Sequence, residues 1–383
     1  MDLDRICSIL FYMSIALLTC MMACRIQPAA AGESVWDAGQ RTRKSFQNRL
    51  YIVGIFVILF LMMALRFDIG NDYRQYTQTA HEAFVGGYVV TEAGFNWLVR
   101  ILYQIAGGEY YELVFAAFAF MTLIFFLGAF ARQSADFSQT FFLFMTLGLY
   151  FQTFNTVRYY LALSIALFSM KYVLEKDYIK FVFWILIAAL FHKSVLLVLP
   201  MYWIATFAWK RWHIAVGLLV SAGCLLGRGL ILRLALILYP SYKNTIYLEE
   251  QFNPVSVLRI LAVLALYLWF VLYRGDQIKD QGWYRELRFY GQLNLLAFAA
   301  NTFFYFLPVV TRIAYYFGVS QLFMIPLILK HIEEDRIQKR VTVIIFSVCI
   351  IYFVVFLLQA HQDGVGLLPY KSWLFESQRY TYK

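Results

Sequence analysis

Apolar runs long enough to cross a bilayer recur from one end of this chain to the other, and no other feature restricts its fold so tightly. ICSILFYMSIALLTCMMAC (6–24) and LYIVGIFVILFLMM (50–63) are two of them, and neither holds a charged residue. A hydrocarbon core about 30 Å thick takes roughly 20 helical residues to cross. Backbone N–H and C=O groups find no partner in lipid, so each such run spans as a helix. The composition agrees: 62% of the residues are hydrophobic, 19% aromatic and only 15% charged, with a mean hydropathy of +0.63. Soluble domains do not reach these values, and a soluble multidomain protein is excluded.

Spans are read near 6–24, 50–65, 110–131, 139–154, 157–174, 178–191, 194–209, 212–227, 257–273, 288–306, 310–329 and 341–358. The expected fold is an all-α integral membrane protein, a polytopic bundle of about twelve transmembrane helices in which 1–383 forms a single transmembrane domain. Lys and Arg gather in cytoplasmic loops. One set of short connections, from Arg25, Arg41, Arg43, Lys44 and Arg49 through to Lys330, Arg336, Lys339 and Arg340, holds 19 of the 33 basic residues. The rule therefore puts both termini outside, with outer loops at 66–109, 228–256 and 359–383.

The net charge of +10 is mostly this orientation signal, together with attraction to anionic headgroups. The basic residues are scattered among short loops and form no single basic face, which argues against nucleic acid as a partner. Cys7, Cys20, Cys24, Cys224 and Cys349 all lie in apolar segments without metal-ligand spacing. The first segment resembles a signal peptide, but a long basic stretch follows it, and it is read as a retained span. Two segments fit a full crossing poorly. The stretch 228–256 carries Arg228 and Arg233 in its apolar half and reads as an interfacial helix entering an outer loop. EAGFNWLVRILYQIAGG (92–108) lies in the interface or dips in and returns, which lipid tolerates only when protein shields the backbone.

On this topology the outward side collects the polar chemistry. Arg66, Asp68, Asp72, Arg74, His81, Glu82 and Glu92 fall in the first outer loop, and Arg158, His192 and Arg312 sit at or just inside the outer ends of spans. Ionisable groups at that depth are costly and mark function by default. Each has a bland reading beside the functional one. Arg66 closing a helix reads equally as a cation reaching the headgroups, Arg74 as a solvated loop charge, His192 as a packed histidine, and Arg158 and Arg312 as contacts to ordinary lipid phosphate. Convergence favours function, because snorkelling arginines do not require carboxylates and a histidine beside them. Tyr73, Tyr76, Tyr88 and Trp97 suit stacking on sugar rings, and equally an aromatic belt at the interface.

There is no H-E-x-x-H, no Cys/His cluster, no Walker loop, no Rossmann fingerprint and no Gly-x-Ser-x-Gly in the sequence. No metal or other cofactor is expected. Arginines without a metal, joined by a histidine or carboxylate, suit displacement of a pyrophosphate from a sugar carbon. Guanidinium forks bind phosphate oxygens and neutralise the leaving group, and the histidine or carboxylate takes the proton of the attacking hydroxyl.

An ordered series of stretches carries a resemblance. LRFDIGNDYRQY, TEAGF, TVRYYLALSIAL, FHKSVLLVLP, TRIAYYF and LLPYKS, running from about residue 60 to 371, resemble the EpsG-type membrane proteins of bacterial exopolysaccharide synthesis, related to the Wzy-like O-antigen polymerases. Asn71 and Tyr159 depart from that pattern, standing where the family has a small hydroxyl residue and a glutamine. The resemblance implies a glycosyltransferase C-like fold in the bacterial inner membrane. It implies transfer of an undecaprenyl-pyrophosphate-linked glycan onto a lipid-linked repeat unit at the outer leaflet. Its implied partners are that lipid-linked oligosaccharide, membrane lipids, a chain-length regulator and a flippase.

The residues expected to act are Arg66, Arg158 and Arg312 on the donor pyrophosphate, Tyr73 and Tyr76 on sugar, and Asp72, His192 or Glu92 as base. Gly70 lets the backbone turn Asp72 back over the membrane surface, and His192 has a reference pKa suited to proton transfer near neutrality. The sequence does not choose between them. Two further functions fit the same pattern, a ligase of the O-antigen type and a lipid-linked oligosaccharide flippase or other transporter. A transporter calls for an internal repeat and midplane charges, which are not seen.

Overall fold

The structure, a computed structural model, describes residues 3–27, 43–87, 89, 91–238, 252–361 and 365–375. Arg41, Tyr88 and the stretches 239–251 and 376–383 of the later outer loops lie outside the described residues. Among the described residues there is no strand, only an isolated antiparallel bridge between Arg66 and Ser372. The helices are α1 Leu3–Ala23, α2 Arg43–Ala64, α3 Tyr73–Val85, α4 Ala93–Ala106, α5 Tyr111–Gln133, α6 Phe137–Thr146, α7 Leu149–Gln152, α8 Val157–Leu174, α9 Tyr178–Ala189, α10 Val198–Ile204, α11 Arg211–Leu226, α12 Arg228–Leu238, α13 Pro254–Arg274, α14 Tyr284–Phe303, α15 Val310–Gly318, α16 Gln321–Lys330 and α17 Asp335–Gln359.

By length and apolarity, seven helices can cross a membrane: α1, α2, α5, α8, α13 with the 3-10 turn after it, α15 joined to α16, and α17. The pair α11 and α12 adds an eighth if it is one span bent by 84°. The described helices thus do not reproduce the expected count of about twelve. The stretch 139–154 is split at Gly148, whose φ is +72°, into α6 and the one-turn α7. The stretch 178–191 supplies a helix of only 12 residues, and 194–209 begins as a 3-10 turn, Lys193–Leu197, before the short α10. The stretch 288–306 does form a long helix, α14, but one with Gln292, Asn294 and Asn301 buried in it.

The chain divides into two compact units: the first takes in 1–171, 183–193 and 333–383, and the second takes in 172–182 and 194–332. Lipid tails are as apolar as leucine, so helices in a bilayer associate through close packing and satisfied polar groups more than through water exclusion. Both devices are visible. In the first unit, Phe126, Phe130 and Phe144 interlock between α5 and α6 with ring centroids 4.8 and 5.2 Å apart, and Phe142 stacks on Phe346 of α17 at 4.2 Å. In the second, the fully buried Asn294 donates to the Tyr290 carbonyl and the Ser320 hydroxyl, each at 2.9 Å. Asn301 donates to the Ala297 carbonyl one turn back, also at 2.9 Å. The other face of α17 exposes Val343, Ile344, Val348, Ile350, Ile351 and Val355, an apolar strip suited to lipid.

The loop 66–109 is not open. It folds into α3 and α4, which pack on one another. Helix α3 buries Tyr73, Tyr76, Thr77, Ala80 and Ala83, the spacing of one helical face, and α4 buries Phe95, Val99 and Tyr103. Gly86 and Gly107 close the two helices in the left-handed conformation. Arg100 donates to the Ala83 carbonyl at 2.8 Å, and His81 Nδ1 meets Glu109 at 2.7 Å. Both contacts tie the hairpin.

The segment 365–375 is bound back onto the start of this loop. The Phe67 and Gly70 N–H groups donate to the Lys371 and Gly366 carbonyls at 2.9 and 2.8 Å, and the Trp373 N–H donates to the Leu65 carbonyl at 3.1 Å. The hydroxyl of Tyr370 reaches the Met62 carbonyl at 3.1 Å, and that of Tyr12 on α1 reaches the Leu367 carbonyl at 2.7 Å.

Candidate functional site

The first unit brings four separated stretches of chain together: the turn 66–76, Glu92 before α4, the start of α8, and His192 with Lys193. Two local features aim their carboxylates. Asp72 and Glu92 stand at the N-cap positions of α3 and α4, where short polar side chains ordinarily bond the first-turn N–H groups, yet neither side chain makes a capping bond. Both reach across to α8 or its lead-in instead. Asp72 Oδ2 accepts from the Thr156 hydroxyl at 2.9 Å. Glu92 Oε2 accepts from Arg158 Nη1, and Glu92 Oε1 accepts from the Lys193 backbone N–H at 3.1 Å.

Glu92 is the hub of the arrangement. His192 Nδ1 lies 3.6 Å from its Oε1, and the Arg158 and Glu92 side chains are 19% and 13% exposed. This is sheltered, but not sealed. Arg158 lies over two rings, with its guanidinium carbon 5.4 Å from the Phe95 centroid and 5.5 Å from that of Tyr76, and its Nε is 3.5 Å from the Tyr76 hydroxyl. The cation is thereby held flat between α3 and α4. The ring of Tyr159 meets His192 edge-on at 5.5 Å. Tyr76 follows Asp72 by one helical turn on α3, so the Asp72 carboxylate and Arg158 lie along one face.

Two glycines set the backbone for these contacts. At Gly70, φ is +98° and an added Cβ would stand 2.5 Å from the Phe154 carbonyl oxygen. At Gly94 an added Cβ would stand 2.6 Å from the Leu190 carbonyl oxygen, to which the Gly94 N–H donates at 2.9 Å. The second contact fixes the start of α4, and with it Glu92, beside the chain leading to His192.

Arg66 and Tyr73 are placed differently from the reading of them as substrate ligands. Arg66 is 1% exposed. Its Nη1 donates to the Met63 carbonyl at 2.5 Å and its Nη2 to the Phe154 carbonyl at 3.3 Å. The guanidinium carbon lies 4.8 and 5.2 Å from the Phe115 and Phe154 centroids. Burial pulls its pKa down to about 10, which still leaves it charged at neutral pH. Tyr73 is likewise buried, stacked on Phe115 at 4.4 Å. Arg74 is 72% exposed and forms a two-pronged pair with Asp68, at 3.0 and 2.6 Å. Trp97 stands out from α4.

Arg312 belongs to the second unit, described by itself. It is the third residue of α15 and half-buried, and its N–H donates to the Val309 carbonyl at 3.1 Å. Val309 takes a left-handed φ of +56°, a costly conformation for a β-branched residue.

Sequence reasoning passed over Thr156, Phe95 and the Lys193 N–H, and noted Tyr159 only as a departure from the family pattern. The signal for Thr156 was its place two residues ahead of Arg158 in NTVRYY. The signals for Asp72 and Glu92 as helix starts were an acidic residue followed by an amphipathic run. Among the described residues, no group of three His, Cys, Asp or Glu side chains is arranged to hold a metal ion.

The family model described as the EpsG family matches residues 49–372, most of the chain and all four stretches of the site. No curated protein and no solved structure matches the chain.

Proposed function

The chain belongs to the EpsG family, membrane proteins of the exopolysaccharide-polymerase type, and from that premise we propose that it polymerises a bacterial surface polysaccharide in the inner membrane. The proposed donor is a glycan on undecaprenyl pyrophosphate, and the acceptor is a lipid-linked repeat unit at the outer leaflet. The hydroxyl of the acceptor forms a bond to the anomeric carbon of the donor as the carbon–oxygen bond to phosphate breaks. The electron pair leaves with undecaprenyl pyrophosphate, and the hydroxyl proton passes to a base on the protein. No metal takes part in this reading, since guanidinium groups answer the charge of the leaving group.

The observation that supports it best is the Arg158, Glu92 and His192 cluster, with Asp72 one helical turn from Tyr76. A phosphate-binding cation and three groups able to take a proton are drawn from distant parts of the chain, in a sheltered place that is not sealed. Arg158 binds the pyrophosphate, and Asp72, Glu92 or His192 receives the proton. Arg66 supports the turn that carries Asp72. Arg312 is proposed separately as a second phosphate ligand, and the strained Val309 that opens its helix supports testing it.

The test is Arg158→Ala and Arg312→Ala, each assayed for surface glycan length and for protein in the membrane. The expected outcome is normal protein with single repeat units and no long chains. Normal chain lengths in both variants would defeat the assignment. Repeat units trapped inside a deletion strain would point to a flippase.

A further inference from the structure

The position of Glu92 raises a difficulty that the proposed reaction alone does not answer. An arginine meant for a pyrophosphate is already paired with a carboxylate, and that carboxylate is itself engaged on both oxygens, by Arg158 and by the Lys193 N–H. Both observations are answered by one arrangement. We propose, resting on the polymerase reading above, that Glu92 is an internal anion occupying the phosphate site, and that the pyrophosphate of the lipid-linked donor evicts it, turning the released carboxylate into the base for the acceptor hydroxyl.

The geometry supports an exchange in which the anion moves and the cation stays. Arg158 is held against the Phe95 and Tyr76 rings and touches the Tyr76 hydroxyl, so its plane is set by α3 and α4. The backbone just after Glu92 is likewise held, since the Gly94 N–H is bonded to the Leu190 carbonyl. The Glu92 side chain itself has two rotatable carbons beyond Cα and some access to solvent. A carboxylate and a phosphate present oxygens to a guanidinium in the same fork geometry, so the donors on Glu92 fit either. With Glu92 in place, Arg158 contributes no net positive charge. A pyrophosphate carrying two or more negative charges takes the Arg158 hydrogen bond from a single-charged competitor, and Glu92 is left beside the anomeric carbon.

The proton balance follows. The acceptor O–H gives its proton to a Glu92 oxygen while its own oxygen bonds to the anomeric carbon, and the pyrophosphate departs with the electron pair. The proton leaves with water when Glu92 returns to Arg158, an exchange that also helps to expel the product pyrophosphate.

The experiment measures binding and polymerisation on the purified full-length protein in lipid nanodiscs. The probes are inorganic pyrophosphate and, separately, undecaprenyl pyrophosphate carried in the disc. Glu92→Gln keeps the shape of the side chain and removes the competing charge. Expected is an affinity for both probes raised by about fivefold or more, the size of an ordinary coupling between two competing ligands, with polymer formation lost. A merely structural Glu92 gives weaker binding, because Arg158 would lose its anchor, and unchanged or weaker binding overturns the proposal. Glu92→Ala carries the same expectation, and failure of both variants to accumulate in the membrane also overturns it. Arg158→Ala is the control on the underlying reading. If it binds both probes as the unaltered protein does, the phosphate site itself is misassigned. If it loses them while Glu92→Gln gains nothing, only the exchange is refuted.

Discussion

Arg66 and Arg158 stand at the two ends of apolar spans, carry the same charge and are flanked by aromatic rings, yet their surroundings differ in kind. The Arg66 guanidinium is met by neutral groups, the Met63 and Phe154 carbonyls and the faces of Phe115 and Phe154, with no carboxylate among these contacts. Arg158 is met by groups that can change charge, above all Glu92 with His192 beside it. Carbonyls satisfy a buried cation permanently and leave it nothing to exchange. A carboxylate satisfies it conditionally, because a stronger anion can take its place. Under the proposed function, the difference separates an arginine that holds the fold from one that is available to a substrate.

Substitutions can break that distinction. Arg158→Ala carries the largest expected effect, a fall in polymer of a thousandfold or about 4 kcal/mol of lost transition-state stabilisation, with the detergent melting temperature unchanged. Arg158→Lys is expected to restore little, because an ammonium cannot form the fork. Gly70→Ala and Arg66→Met are expected to act the other way. Each lowers stability by about 3 kcal/mol, the first through a Cβ pressed on the Phe154 carbonyl and the second through two orphaned carbonyls. Both are read as a lower melting temperature and less protein in the membrane, and Arg66→Met is expected to keep far more of its activity per folded molecule than Arg158→Ala. A fall in specific activity at normal stability would place Arg66 beside Arg158 after all.

Smaller effects sharpen the comparison. Tyr76→Phe removes the hydroxyl that meets Arg158 Nε and is expected to lower polymerisation about threefold. Tyr73→Phe, whose ring packs on Phe115, should leave the rate alone. Arg74→Ala, which breaks an exposed pair with Asp68, should change stability by less than about 0.5 kcal/mol and chain length not at all. Glycan ladders and thermal unfolding of the purified variants check all three.

Much of the fold could be read locally. The runs that became α1, α2, α5, α8, α13, α15 with α16, and α17 are apolar over their own length, and hydropathy needs nothing else. The broken stretch at 139–154 escaped notice because it holds no charge and is mostly apolar, and the break rests on the backbone of Gly148. Helix α3 escaped because one polar face hides a period that hydropathy averages away, whereas the interfacial reading of 92–108 already covered α4. At the site, residue type and depth were enough to single out Asp72, Glu92, Arg158 and His192. They were not enough to part Arg66 from Arg158. The partner that buries Arg66 among backbone carbonyls, Phe154, is 88 residues away in sequence, and so is set by tertiary packing alone.

The contacts of 365–375 bear on the order in which the molecule can be completed. Tyr12 and Leu367 are 355 positions apart, and Tyr370 and Met62 are 308 apart. A chain still leaving the ribosome has its early helices in the membrane, but its Phe67 and Gly70 N–H groups have nothing to bond to until Lys371 and Gly366 have been made. The turn that presents Asp72 therefore receives these bonds only from a late-made part of the chain.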